Sequence, residues 1–385
     1  MRSLKRELNS FYAKVLEKDY SIQQVTKGAL SQSRAKLNPS AFTELNVVAA
    51  RTFYEGAPYR IWIDHRVLAA DGSTLVLPDH KTTREEFGVH KFGRNADAER
   101  SMATVSIMYD VLNLLTLDAQ IDKYAVSEQT LLTQHLSNVA FLKGDLLLLD
   151  RGYPSMALMF KLQQMGIEFC IRLKEGWWKE ARNMLKDGET DKIVKFTLPP
   201  KDRHLQQEFG VASPIITCRL VVIELDNGEQ EVLCTSLCNR KKYPYDCFKE
   251  LYHLRWHIEE GYKLFKCRAG LETFSGKTAR SVRQDFQAKA FLMTMCAILS
   301  YPIEEQVRAE NRSCLTAHPR QINRTDALAM CKDIWVGIWI HSKIKEALAA
   351  LDAVLKKACD IIRPQRSFPR KHRPKKPPAM GYKQL

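Results

Sequence analysis

The segment Gly144–Ser155 reads GDLLLLDRGYPS, and its first half decides the fold. Leu146–Leu149 carry no polar alternation, so a strand built from them is buried on both faces, as in the middle of a sheet covered by helices. The apolar run stops at Asp150. An acid ending such a strand is costly to place unless something partners it. Its bland use, as the N-cap of the next helix, falls more naturally to Ser155.

Working outward, His65–Pro78 (HRVLAADGSTLVLP) is apolar on both sides of Asp71, with a bend expected at Gly72. Asp-Gly is also a common turn pair, so Asp71 by itself reads equally as a turn residue. Met102–Ile121 reads as two strands joined near Tyr109–Asn113. Helices are expected at Ser127–Ser137 and Ser155–Met165, with a strand at Ile167–Lys174. Residues 1–60 are mostly helical, and Val25–Leu45 suits a small DNA-binding helical unit or a simple cap equally well. From 175 to 240 the texture turns β-rich, in KIVKFTLPP, ITCRLVVIEL and EQEVLCTSLC. Helices follow at Tyr245–Lys266 and Ser281–Ser300, and Arg324–Ile362 is helical.

The chain has 385 residues, 45% hydrophobic and 27% charged, which suits a soluble protein with a large core. Its net charge of +15 points to a polyanionic partner, with nucleic acid favoured over membrane because no basic amphipathic anchor stands out. Residues 363–383 hold eight Lys/Arg and no acid, among several prolines, and read as a disordered tail. The N-terminus lacks the apolar run of a signal peptide. The most apolar stretch, Ala290–Leu299, falls short of a membrane span. Ten cysteines, none before Cys170, do not form a disulfide framework, and a reduced cytosolic compartment is expected.

The most informative segment chemically is Tyr252–Lys266, YHLRWHIEEGYKLFK. On a helix, Tyr252, Arg255, Glu259 and Lys266 stack along one face. A carboxylate between an aromatic and two cations suits a metal ion held against a phosphate better than it suits a core. This register selects Glu259 over Glu260. Other signals weigh less. His253 and His257 are four apart, but Leu254 stands where a zinc protease helix needs glutamate. Gly276–Lys277–Thr278 lacks the glycine spacing of a phosphate loop and reads as a turn before the next helix, with Lys277 and Arg280 near DNA. Trp177–Trp178 suits packing as well as base stacking. Trp256 is expected to face the core.

Asp71, Asp150 and Glu259 thus fall on separate elements of one α/β core. In a ribonuclease-H-like mixed sheet the first and fourth strands are neighbours, and a later helix packs near their ends. Acids so placed can converge on two hard divalent ions, Mg²⁺ foremost and Mn²⁺ as a substitute. Here the chain resembles the DDE transposases of bacterial insertion sequences, in the IS-four branch. The resemblance rests on Asp71–Gly72, on Asp150–Arg151–Gly152–Tyr153, and on the Tyr252/Arg255/Glu259/Lys266 signature, in that order. It extends from about residue 25 to 300. A β-rich insertion between the second aspartate and the glutamate, which are 109 positions apart, is also shared.

The resemblance implies that Asp71, Asp150 and Glu259 are catalytic and ligate the metal. Tyr252, Arg255, Lys266, Arg151 and Tyr153 would contact DNA or support the acids. Together with the reading of the residues outside it, it gives six expected regions: helical 1–60, the first part of the core at 61–174, the β-rich insertion at 175–240, the completed core at 241–300, C-terminal helices at 301–362 and the basic tail at 363–385. The implied reaction is strand cleavage at the ends of the element, freeing a 3′-hydroxyl that attacks target DNA. Implied partners are transposon-end and target DNA and a second copy in the synaptic complex, in the bacterial cytoplasm at the nucleoid. Some relatives form a DNA hairpin aided by an aromatic in the insertion; Glu231 occupies that position here, which counts against a hairpin unless Trp177 or Trp178 takes over. Two alternatives remain open, a structure-specific nuclease on the same fold and a non-catalytic DNA-binding descendant.

The basic tail yields a first prediction. Removing residues 364–385 should weaken DNA binding at moderate salt and flatten its salt dependence, since each lost phosphate contact lowers the slope by about 0.9. Electrophoretic or anisotropy titrations over a salt series measure both; an unchanged slope contradicts the expectation.

Overall fold

The computed structural model describes residues 4–22, 24–91, 99–174, 176, 178–208, 210, 213–226, 228–313 and 318–363. Helices α1 (Leu4–Val15), α2 (Lys27–Lys36) and α3 (Ser40–Gly56) precede strand β1 (Val67–Val76). Helix α4 (Lys81–Phe87) and the short β2 (Val89–Lys91) lead into a hairpin of β3 (Glu99–Asp110) and β4 (Leu115–Lys123). Then α5 (Glu128–Asn138), β5 (Leu146–Leu149), α6 (Met156–Gln164) and β6 (Glu168–Arg172) alternate. The insertion holds α7 (Lys179–Asp187), β7 (Asp191–Thr197), α8 (His204–Glu208), β8 (Ile215–Glu224) and β9 (Gln230–Thr235). After it come α9 (Cys247–His253), α10 (Trp256–Cys267) and the 35-residue α11 (Ala279–Ser313). The strand pair β10 (Arg320–Ile322) and β11 (Cys359–Ile361) brackets α12 (Arg324–Trp339) and α13 (Ile344–Lys357).

Apart from β2, which pairs with the start of β3, the strands run β4-β3-β1-β5-β6-β9-β8-β7. Strand β3 is antiparallel to β1 and β4, while β5 and β6 run parallel to β1. Among the five core strands the order is therefore third, second, first, fourth, fifth, the arrangement of a ribonuclease-H-like sheet. The four leucines of β5 are fully buried between two clusters. One, shared with Val67, Ala69 and Leu75, lies under α9 to α13; the other, shared with Leu68 and Ala70, lies under α3, α5, α6 and α7. The insertion strands form no separate sheet. Strand β9 pairs with β6, so β7 to β9 prolong the core sheet.

Several elements differ from the sequence reading. Gly72 makes no bend: β1 runs straight through it, because Asp71 and Gly72 pair in register with Ile107 and Ser106. Tyr245–Lys266 is not one helix. Bonds three residues apart, such as Arg255 N to Tyr252 O (3.1 Å) and Ile258 N to Arg255 O (3.1 Å), tighten the chain between α9 and α10. Helix α11 runs past Ser300 with Pro302 inside it, and the C-terminal region ends in β11 rather than helix. By length and composition α11 could cross a membrane, but half of its most apolar stretch is buried inside the fold.

One ion pair fixes the register that the site needs. Arg66 Nε donates to Asp145 Oδ1 (2.9 Å), and a second guanidinium nitrogen meets Asp145 Oδ2. Both side chains are almost fully buried, Arg66 lies over the Tyr54 ring, and Leu146 N donates to Arg66 O (2.9 Å). The pair clamps the starts of β1 and β5 together. Asp145→Ala strands a buried guanidinium and should cost about 3–5 kcal/mol. Urea unfolding measures this; a loss below about 1 kcal/mol contradicts it.

Candidate active site

The parallel register of β1 and β5 pairs Ala69 with Leu148. Two residues further on, Asp71 and Asp150 stand across from each other where the strands part. Asp71 Oδ1 accepts from Gly72 N (2.9 Å), and its carbonyl accepts from Ser106 Oγ (3.0 Å) and Tyr262 Oη (2.9 Å). Ser106 also meets His135 Nε2 (2.9 Å), whose Nδ1 is held by Asp118 (2.7 Å). Burial pushes the Asp71 carboxyl up to about 6; Gly72 N–H and Arg255 pull it back, while Glu128 and Glu259 push it further up.

Asp150 follows β5 directly. Its Oδ1 is buried without a hydrogen bond, and the nearest cation is Arg172 at 3.8 Å. Ser155, not Asp150, caps α6, accepting from Leu158 N (3.2 Å). Glu259 comes from α10, where Arg255 donates to its Oε1 (3.0 Å). Arg255 is only 5% exposed, its Nε has no hydrogen-bond partner, and its charge also acts on Asp71 and Asp150. Close packing brings α10 in: a Cβ on Gly261 would lie 3.1 Å from the Tyr109 ring. One guanidinium therefore sits among three acids from three elements.

The other expected site residues divide into groups. Lys266 reaches β1, donating to Ser73 Oγ and to Thr74 O (3.4 Å). Tyr252 is buried and directs its hydroxyl at Leu149 O (3.5 Å), just before Asp150. Tyr153 is also buried, whereas Arg151 is exposed. Glu260 points to solvent and pairs with Lys263. Trp256 is 45% exposed, not core-facing: the buried positions 251, 255, 258, 262 and 265 form the inner stripe, and 256 falls outside it. His257 donates toward Val111 O (2.8 Å), a structural use. Trp178 packs against Phe196 (5.4 Å), while Trp177 lies outside the described residues.

Three further residues shape the site. Arg172, ending β6, bonds Glu231 (2.8 Å) as well as facing Asp150. A cation ending an apolar strand is the same signal that marks Asp150, so Arg172 was readable. Tyr262 falls on the inner stripe of α10 and was readable too. Glu128, the first residue of α5, carries the ordinary pattern of an acid in a helix's first turn and gives no sequence signal.

The profile of the transposase DDE domain family matches residues 62–295. The chain belongs to this family. It is 26% identical over 245 residues to the transposase InsG for insertion sequence element IS4 of Escherichia coli (strain K12). That alignment covers 63% of this chain and 53% of InsG, so the chain spans about half the length of this curated relative. It is also similar to the piggyBac transposase in a synaptic complex with hairpin DNA, at a TM-score of 0.42 and 9% identity over 75% of this chain and 57% of that one.

A DDE domain implies a divalent metal ion. The donor set fits one in chemistry: all candidates are carboxylates, and Asp150 Oδ1 is a buried acceptor with no hydrogen bond from the protein. As placed, no three His, Cys, Asp or Glu among the described residues close around one point, and Arg255 holds Glu259.

Asp71 supplies a pH test. In the fold its carboxyl keeps a proton up to about pH 6; unfolded, it loses it in the ordinary range, so stability falls as pH rises between the two values. Asp71→Asn removes that penalty. In EDTA the variant should melt above the wild type at pH 8, with the gap closing toward about pH 4. A variant that melts lower at pH 8 contradicts this.

Proposed function

We propose that this chain is the transposase of an insertion sequence, cleaving DNA strands at the element's ends and joining the freed 3′ end to target DNA. The observation that carries this reading is the meeting of Asp71, Asp150 and Glu259 around the buried Arg255. It is supported by the position of all four residues inside the family match.

In this reading Asp71, Asp150 and Glu259 hold Mg²⁺, as two ions, with Mn²⁺ as a substitute. When bound, such ions activate the attacking oxygen and stabilise the leaving one in an in-line phosphoryl displacement. Arg255 keeps Glu259 aimed at the site, and its buried charge lies beside Asp71 and Asp150. Lys266, anchored against β1 by Ser73 and Thr74, sets a point charge beside Asp71. Arg151 is exposed next to Asp150 and meets the phosphodiester backbone. Tyr252 and Tyr153 are buried, so they brace the end of β5 instead of touching DNA.

The +15 charge supports binding of both the element's ends and target DNA. The exposed Trp339 and Ile344 of the C-terminal helices are where a second copy would pack in the DNA complex. We place the protein in the bacterial cytoplasm, at the nucleoid.

The assay is linear DNA bearing the element's ends, supplied with Mg²⁺. Wild type should nick at the ends and join them to a second DNA, and Asp150→Ala should reduce both to background. No end-specific nicking by wild type would sink the reading; cutting without joining would favour a nuclease.

A further inference from the structure

Three polar side chains are buried between the sheet and α5, in a layer otherwise built from Leu68, Ala70, Met108, Leu132 and Leu136. They are Asp118 on β4, His135 on α5 and Ser106 on β3, and they form one chain. Asp118 Oδ2 meets His135 Nδ1 at 2.7 Å, and His135 Nε2 meets Ser106 Oγ at 2.9 Å. Gln120 Nε2 and Asn138 Nδ2 donate to the same Asp118 oxygen (2.7 and 3.3 Å). Burial pushes the Asp118 carboxyl up, but the bonds from His135, Gln120 and Asn138 outweigh it and hold the group below the ordinary carboxylate range.

The chain runs in one direction and ends on the site. Ser106 Oγ gives its single hydrogen to Asp71 O (3.0 Å), so it accepts from His135 Nε2. Tyr262 Oη reaches the same carbonyl from α10 (2.9 Å). The following N–H, that of Gly72, donates to Asp71 Oδ1 (2.9 Å). Holding the carbonyl therefore fixes the plane of the Asp71–Gly72 peptide, and with it the bond that aims the carboxylate. Ser106 also touches the second motif. The Tyr153 hydroxyl interacts with it, and Tyr153 N donates to Asp150 O (3.1 Å). One serine thus stands between the backbones of both aspartates.

Stability alone does not call for this chain, because apolar residues of like volume often serve a buried layer as well or better. A fully satisfied polar chain adds a single fixed arrangement, and groups that hold metal ligands are commonly braced in this way. We propose that Ser106 and His135, braced on Asp118, are positioning residues that set the placement of Asp71 against Asp150. The inference rests on the reading of those two aspartates as metal-holding acids.

The test uses the full chain, with hydrogen exchange in EDTA followed by calorimetric titration with Mn²⁺. Ser106→Ala removes the hydroxyl that meets both motifs, and Ser106→Thr returns it. His135→Gln leaves Ser106 in place and removes its support; Asp150→Asn serves as reference. In EDTA, exchange at the Gly72 amide should quicken in Ser106→Ala and His135→Gln, while the Leu147 and Leu148 amides keep their wild-type rates. Both variants should weaken Mn²⁺ binding about tenfold, and Ser106→Thr should restore it. A wild-type Mn²⁺ isotherm in either variant overturns the proposal; joined to a lower melting temperature, it marks a purely structural role. Should Ser106→Ala fail to fold, the His135→Gln isotherm decides alone. If Asp150→Asn loses Mn²⁺ while the two variants keep it, the positioning role fails and the reading of the acids stands. A wild type that takes up no Mn²⁺ overturns both.

Discussion

A single guanidinium governs the geometry of this site. Arg255 is buried between the helical layer and the sheet, bonds Glu259 and acts on Asp71 and Asp150. Acids gathered at a strand end repel one another and lose hydration, and without a cation the fold would drive them apart or protonate them. Arg255 supplies that cation from the same turn of chain that delivers Glu259. The tightened link between α9 and α10 puts Tyr252, Arg255 and Ile258 on the inner stripe, which leaves Glu259 at its edge.

The sheet provides the other half of the constraint. Asp71 and Asp150 are neighbours only if β1 and β5 keep their register, and the buried Arg66–Asp145 pair sets it at the opposite end of the strands. The insertion strands, by prolonging the sheet beyond β6, bring Glu231 and Arg172 to the flank of Asp150. Glu231 is thereby already engaged by Arg172 beside Asp150.

Much of this was legible because the strongest signals are local. Four leucines with no alternation can only be a central strand, and an acid ending it needs a partner. The spacing of Tyr252, Arg255, Glu259 and Lys266 selected Glu259, which Arg255 bonds, whereas Glu260 is left in solvent beside Lys263. What was not legible depends on contacts between distant elements. Gly72 read as a bend because Asp-Gly is a common turn, yet the β3 ladder carries it straight and α5 uses the vacancy. Trp256 read as core because aromatics usually are, but Arg255 takes the inward place. Nothing near Glu128 announces that it meets two acids about 57 and 22 residues away in the chain.

The most direct measurement is the pH dependence of unfolding of Arg255→Gln in EDTA. If Arg255 holds the acids together, the variant's loss of stability should exceed its loss at pH 5 by about 2 kcal/mol when measured at pH 8, because Asp71, whose carboxyl is pushed up to about 6 and is pulled back by Arg255, is ionised there. Equal losses at the two pH values would mean that Arg255 contributes only packing, and would contradict the account.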